Sequence, residues 1–252
     1  MPLLSLRQNQ SLVAVLSLLL LYGCNRNTET PATSPPAPQV KAQPAPHVAT
    51  MDEWKAALLS SYTESQVKDI GDGVTEFFSV FSLEGNKKIY AFGKRDGFRR
   101  LRFYTPGLMS NGSLGPYVRI YLSVPDGERP ALLLTPYFFG KNGWLFMSKV
   151  AVMVDGEVVF ERDFKDNRVR RNAENWGVEE TYDLITTSAD INGLRKIKKE
   201  SSVSIRLTGE KGFVTLKKDF VGYFKDEIRD ALFIYDKMND ALDGHIPPAK
   251  QQ

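Results

Sequence analysis

The 252-residue chain has one cysteine, Cys24, and two histidines, His47 and His245. None of the three falls within residues 50–244. That stretch therefore has no disulfide, no thiol nucleophile, no Ser-His-Asp triad and no His- or Cys-ligated metal site. Excess charge is also scarce, with 33 Lys and Arg against 30 Asp and Glu. Four of the bases and one of the acids lie outside 50–244, so the body of the chain is neutral. Neutrality argues against nucleic acid and against general binding to anionic lipid. No apolar run reaches the roughly 20 residues that a membrane-spanning helix needs. Composition is otherwise that of a globular protein, with 42% hydrophobic and 25% charged residues, so whole-chain disorder is not expected.

The N-terminus is present as a targeting segment. Arg7 is its only charged side chain, and residues 12–21 are almost wholly apolar. The run ends at Leu21-Tyr22-Gly23-Cys24. This quartet resembles the lipobox of bacterial lipoproteins, with leucine three before the cysteine and a small residue just before it. Tyr22 departs from the pattern, which prefers a small residue there. The resemblance implies diacylglyceryl transfer to the Cys24 thiol, cleavage before Cys24 and acylation of the new amine, palmitate being a usual chain. Two or three acyl chains at about 0.8 kcal/mol per buried CH₂ hold a protein almost permanently. The alternative is an ordinary secretory leader with a chance cysteine. Asn25 in place of Asp after the cysteine leans toward the outer membrane, facing the periplasm, if the source is diderm.

Four segments follow from this reading: a signal peptide at 1–23, a lipidated Cys24 with a Pro-rich tether over 24–49, a globular body at 50–244 and a disordered tail at 245–252. The tether carries Pro31, Pro35, Pro36, Pro38, Pro44 and Pro46 and no aromatic residue, so it cannot bury enough surface to fold. As a coil it spans roughly 30 Å, and fully extended about 80 Å. His47 reads as a solvated residue within it.

The body is predicted to be α+β: an antiparallel β-sheet or sandwich with an N-terminal helix and a long C-terminal amphipathic helix packed on it. Thr50 and Glu53 form a capping box, and Trp54, Ala57 and Leu58 give the first helix its apolar face. Val118, Ile120, Leu122 and Val124 alternate with Tyr117, Arg119, Tyr121 and Ser123, the pattern of a half-buried strand. Val203, Ile205 and Leu207 alternate likewise. Asp155-Gly156 between apolar runs predicts a tight hairpin. The runs 131–139 and 144–154 lack alternation and predict strands buried on both faces. Pro136 predicts an edge or bend in the first of them. A short, exposed basic helix is expected from Thr187 or Ser188 to Lys199, weakened by Gly193. The last helix is capped by Asp219, carries the stripe Val221, Phe224, Ile228, Leu232, Tyr235, Met238 and Leu242, and stops at Gly244.

A partial resemblance covers about the last half of the chain. Gly143-Trp144-Leu145-Phe146, then Asp155-Gly156-Glu157 and Phe160, the strand at 201–207, Gly209 and the terminal helix are similar to a segment of uncharacterised bacterial exported proteins. It implies fold and compartment only.

Several patterns carry chemistry on paper. Ser65-Gln66-Val67-Lys68 matches the Ser-x-x-Lys motif, but no Ser-Asp-Asn or Lys-Thr-Gly follows. Asp69 and Asp72 sit in a glycine turn that lacks the regular ligand spacing of a calcium loop. Glu179, Glu180 and Asp183 read as an exposed strand edge, or as acid–base carboxylates if they face each other across a cleft. Arg168, Arg170, Arg171, Lys196, Lys198 and Lys199 read as solvated clusters with acids nearby. Tyr137, Phe138 and Phe139 read as core or as a contact surface.

One constellation is sharper. Parity places Arg100, Arg102 and Tyr104 on one strand face and Tyr117, Arg119 and Tyr121 on another. If the two strands pair, Arg and Tyr interleave across one surface. That surface either binds an anionic or sugar-like partner or is a cross-strand ladder of Arg stems on Tyr rings. The function expected is a lipid-anchored envelope module that binds an envelope protein or glycan, with no cofactor and no metal. The alternative is a carboxylate-based envelope hydrolase with a deep pocket, two carboxylates and a raised pKa.

Overall fold

Six strands follow one another in the sheet in the order in which they occur in the chain. The computed structural model describes residues 47–107, 115–165 and 168–247. The lipobox, Cys24, Asn25 and the expected tether up to Pro46 lie outside the described residues, as does the tail beyond Pro247. The strands are β1 (Thr63–Gly71), β2 (Val74–Ser82), β3 (Lys88–Asp96), β4 (Leu101–Pro106), β5 (Tyr117–Pro125), β6 (Ala131–Gly140), β7 (Met147–Val154), β8 (Glu157–Asp163), β9 (Arg170–Glu174), β10 (Gly177–Thr181), β11 (Leu184–Ile185), β12 (Val203–Gly209) and β13 (Gly212–Thr215). Among the described residues, three α-helices accompany them: α1 (Met51–Ser60), α2 (Ser188–Leu194) and α3 (Lys218–Leu242).

All pairings are antiparallel. The large sheet runs β1-β2-β3-β4-β5-β6-β10-β9, with β11 also beside β6, and the small one runs β13-β12-β7-β8. The fold is thus α+β, with a helix before the strands and a long one after them. One face of the large sheet is apolar: Phe77, Phe81, Ala91, Tyr104, Val118, Ile120, Leu122, Val124, Leu132 and Leu134 are all buried. Helix α3 packs on β4, β5 and β6, touches α1 and reaches β12. The small sheet adds Val150, Val152, Val154, Ile205 and Leu207 to the same core cluster.

The local signals form as the sequence predicts at most ends. Thr50 and Glu53 make the reciprocal capping box of α1. Asp155 and Gly156 turn the β7–β8 hairpin with φ of +50° and +91°, the left-handed pair that such a turn demands. Helix α3 stops before Gly244, at φ +76°. Other ends differ. Lys217, not Asp219, is the N-cap of α3, and its side chain makes no capping bond; Asp219 sits in the first turn. Helix α2 ends at Leu194 and is not an exposed basic helix, since Ile191, Leu194 and Ile197 are buried. Gly193 is there for closeness: a Cβ would lie 2.0 Å from the carbonyl oxygen of Val159. The expected tail is packed where it begins, with Ile246 against the core.

Pro136 does not mark an edge. It lies inside β6, opposite Val118 of β5. On its other side β6 pairs with β11 through Leu133 and Leu134 and with β10 from Tyr137 to Gly140. Pro136 falls in the break between those ladders. Its carbonyl accepts the Tyr182 N–H at 3.3 Å on that side, so the missing N–H also faces the break and leaves the β5 ladder intact.

Candidate functional site

The expected Arg/Tyr surface does not form. Opposed residues of an antiparallel pair share a face. Tyr104 lies opposite Leu122 and Arg102 opposite Val124, so both point into the core, where they are 0% and 4% exposed. Tyr117, Arg119 and Tyr121 have the other parity and occupy the opposite face of the sheet. Arg100 belongs to neither. It sits in the β3–β4 turn with φ +53°, and its left-handed backbone breaks the alternation assumed for the stretch.

Arg102 and Tyr104 are structural. The Arg102 guanidinium pairs with Asp126 and lies 5.4 Å from the Trp54 ring. Arg100 approaches the same carboxylate at 3.6 Å. The Tyr104 hydroxyl shares a 2.7 Å hydrogen bond with the Tyr62 hydroxyl, and burial pushes both phenols above their usual range.

The other triad is a ladder. Tyr117 stacks on Tyr137 at 4.5 Å, and the Arg119 guanidinium donates to the Tyr117 hydroxyl at 3.4 Å. The Tyr137 hydroxyl donates to Glu179 at 2.7 Å. Burial, with Asp183 nearby, pushes Tyr121 up to about 12. Burial alone would raise Asp183, but hydrogen bonds from Thr135 and Arg170 outweigh it and hold its carboxyl below the usual range.

The carboxylates at 179–183 do not line a cleft together, and they are not all exposed. Glu180 is fully buried. Its Oε1 accepts the Leu145 and Phe146 N–H groups at 2.7 and 2.9 Å, and its Oε2 accepts that of Met147 at 2.6 Å. Arg171 approaches Oε2 at 3.4 Å. One side chain of the large sheet thereby holds the start of the small one. Arg170 is paired with Asp183 and Lys196 with Glu157. Asp69 accepts the Gly71 N–H at 2.9 Å, closing a turn, and no group of three or more metal-ligating side chains occurs among the described residues. Ser65 and Lys68 are separated by a bulge with Gln66 at φ +51°, and Lys68 lies opposite Glu76.

A cavity of about 480 Å³ opens elsewhere, lined mainly from β1, β2 and β3, with Asp230 of α3 at one side. Its aromatic wall follows from register. Ser65, Phe78 and Phe92 lie opposite one another across β1, β2 and β3. Phe78 and Phe92 meet edge-on at 5.9 Å, and Tyr90 stands two residues along β3. Ile89 and Ala91 complete the apolar lining, Lys88 is exposed at its margin, and Gly107 and Asp230 close it. Gly107 needs its φ of +74°, and Glu227 of α3 lies beyond it: a Cβ at Gly107 would sit 3.5 Å from Glu227 Oε1.

Glu227 is 6% exposed and makes no hydrogen bond or ion pair among the described residues. Burial pushes its carboxyl up to about 7; Arg119 pulls down and Asp230 pushes up, and burial dominates. Burial likewise raises Asp230. Sequence reasoning missed both residues. The signal was an acid inside an apolar stripe, since Glu227 falls between Phe224 and Ala231 at helical spacing.

No helix among the described residues is long and apolar enough to cross a membrane. No family model, no curated protein and no solved structure matches this chain.

Proposed function

We propose that this chain is a lipid-anchored envelope protein whose folded body binds a small, largely apolar ligand between β1–β3 and α3. The carrying observation is the cavity of about 480 Å³ walled by Phe78, Tyr90 and Phe92. That size and lining suit a drug-sized organic molecule. The anchor rests on Leu21-Tyr22-Gly23-Cys24 at the end of an apolar leader.

A carboxylate-based envelope hydrolase is the second reading, favoured by Glu227 titrating near neutrality beside Asp230. Position weighs against it. Glu227 and Asp230 are three apart on one helix and so share a side. A glycosidase sets its two carboxylates across the substrate from each other.

Two measurements test the proposal. Mass spectrometry of the native chain should find a diacylglyceryl thioether on Cys24, and Cys24→Ala should lose membrane attachment; an unmodified Cys24 would overturn the anchor. For the cavity, calorimetric titration of the full chain in lipid nanodiscs with neutral 3-phenylpropanol, empty nanodiscs serving as blank, should show saturable binding. Phe78→Ala and Phe92→Ala should abolish it. Absence of binding in the native chain would overturn the ligand site.

A further inference from the structure

The cavity joins two features that do not belong together in an empty apolar pocket. Its wall is aromatic, from Phe78, Tyr90 and Phe92. Its helix side carries Asp230 and, behind Gly107, the buried Glu227. A carboxylate taken from water costs several kcal/mol unless it is paired or hydrogen-bonded. Neither Glu227 nor Asp230 has a hydrogen bond or ion pair among the described residues, and the charges of Arg119 on Glu227 and of Arg229 on Asp230 do not offset burial. Glu180 in the same fold shows the contrast, with three backbone N–H groups around a fully buried carboxylate.

We infer that the cavity is built for an organic ammonium ligand, its cation held by Asp230 and Glu227 and its apolar body by Phe78, Tyr90 and Phe92. This rests on the binding-module reading above and names the ligand class. Three kinds of chemistry converge on it. An ammonium donates N–H groups to both carboxyls and so favours their ionised, acceptor-only form over the protonated form that burial favours. Aromatic faces attract a cation through their quadrupole, and Tyr90 of this wall is 56% exposed. A ring or short chain fills the remaining volume. Gly107 of the lining stands next to Glu227: a Cβ there would meet the Glu227 side chain at 3.4 Å, in ordinary contact. Lys88 also lines the cavity and is exposed.

The test compares three probes of one shape on the full chain in nanodiscs: 3-phenylpropylammonium, 3-phenylpropanol and 3-phenylpropionate. The ammonium should bind at least tenfold tighter than the alcohol, and the propionate weakest. Glu227→Gln and Asp230→Asn should each lower the ammonium affinity far more than the alcohol affinity, removing most of the ammonium preference. Binding of alcohol and ammonium with equal affinity would overturn the charge inference and leave the apolar site standing. No binding of any probe would overturn both. Should a variant fail to fold, the probe comparison on the native chain still decides.

Discussion

Glu180 of β10 accepts the backbone N–H of Met147, the first residue of β7, at 2.6 Å. With Leu145 and Phe146 it gathers three successive N–H groups, Phe146 turning through φ +53° to aim its own. Gly209 of β12 supports the same turn, since a Cβ there would lie 2.3 Å from the Leu145 carbonyl oxygen. The carboxylate is a joint between the two sheets. Glu180→Ala should orphan three N–H groups and lower unfolding stability by about 3–5 kcal/mol. Glu180→Gln keeps one carbonyl acceptor and should cost about 1–3 kcal/mol. Calorimetric melts check both values; unchanged melts would show that water replaces the carboxylate.

Glu227 sets a pH dependence whose direction follows from its environment. Its folded carboxyl titrates near 7 instead of at the ordinary 4.5, so the fold favours the protonated form. The associated stability is complete below about pH 4.5 and is lost as pH rises through about 7, amounting to about 3 kcal/mol. Asp230 and Arg119 are the charged groups acting on it. Melting temperature should fall between pH 5 and pH 8 in the native chain. In Glu227→Gln that component should vanish, leaving the variant the more stable above pH 7.

Arg102 and Tyr104 should act on stability and not on ligand binding, because both face the core. Tyr104→Phe removes the hydroxyl that meets Tyr62 and should cost about 1 kcal/mol. Arg102→Ala should cost more, since it leaves Asp126 short of a partner and exposes Trp54 to a void. Titration with 3-phenylpropanol should be unaltered in both variants at a temperature where they are folded.

Gly193 offers a check on the contact between α2 and β8. Gly193→Ala would place a methyl 2.0 Å from the Val159 carbonyl oxygen, where only backbone movement can relieve it. A loss of about 1–3 kcal/mol is expected, and no change in probe affinity.

The sequence was readable wherever structure is decided within a few residues. Alternation placed β5 and β12, Thr50 and Glu53 opened α1, Asp155-Gly156 turned a hairpin, and the apolar stripe of α3 ended before Gly244. It was not readable where neighbours come from far along the chain. Arg100 and Arg102 share parity in the sequence, but a single left-handed residue breaks that parity before β4 begins. Pro136 forbids a central strand only if its empty N–H position faces a ladder, and the β10–β11 break that spares it lies more than forty residues away. Glu180 looks like a surface acid until residues 145–147 are brought to it. The cavity was invisible for the same reason, as its walls come from β1, β2, β3 and α3.

Helix α3 carries Glu227, Asp230 and its core anchors on one rigid rod. Glu227 is bonded directly to Ile228, which is 0% exposed, and Asp230 to Ala231, which is 0% exposed as well. Whatever relieves those acids therefore relieves the whole fold, by mass action on the folded state alone. The molecule is its own thermometer. A ligand library scanned by melting temperature, with no assay of activity and no prior guess at the compound, would rank its hits by how well they quiet that helix.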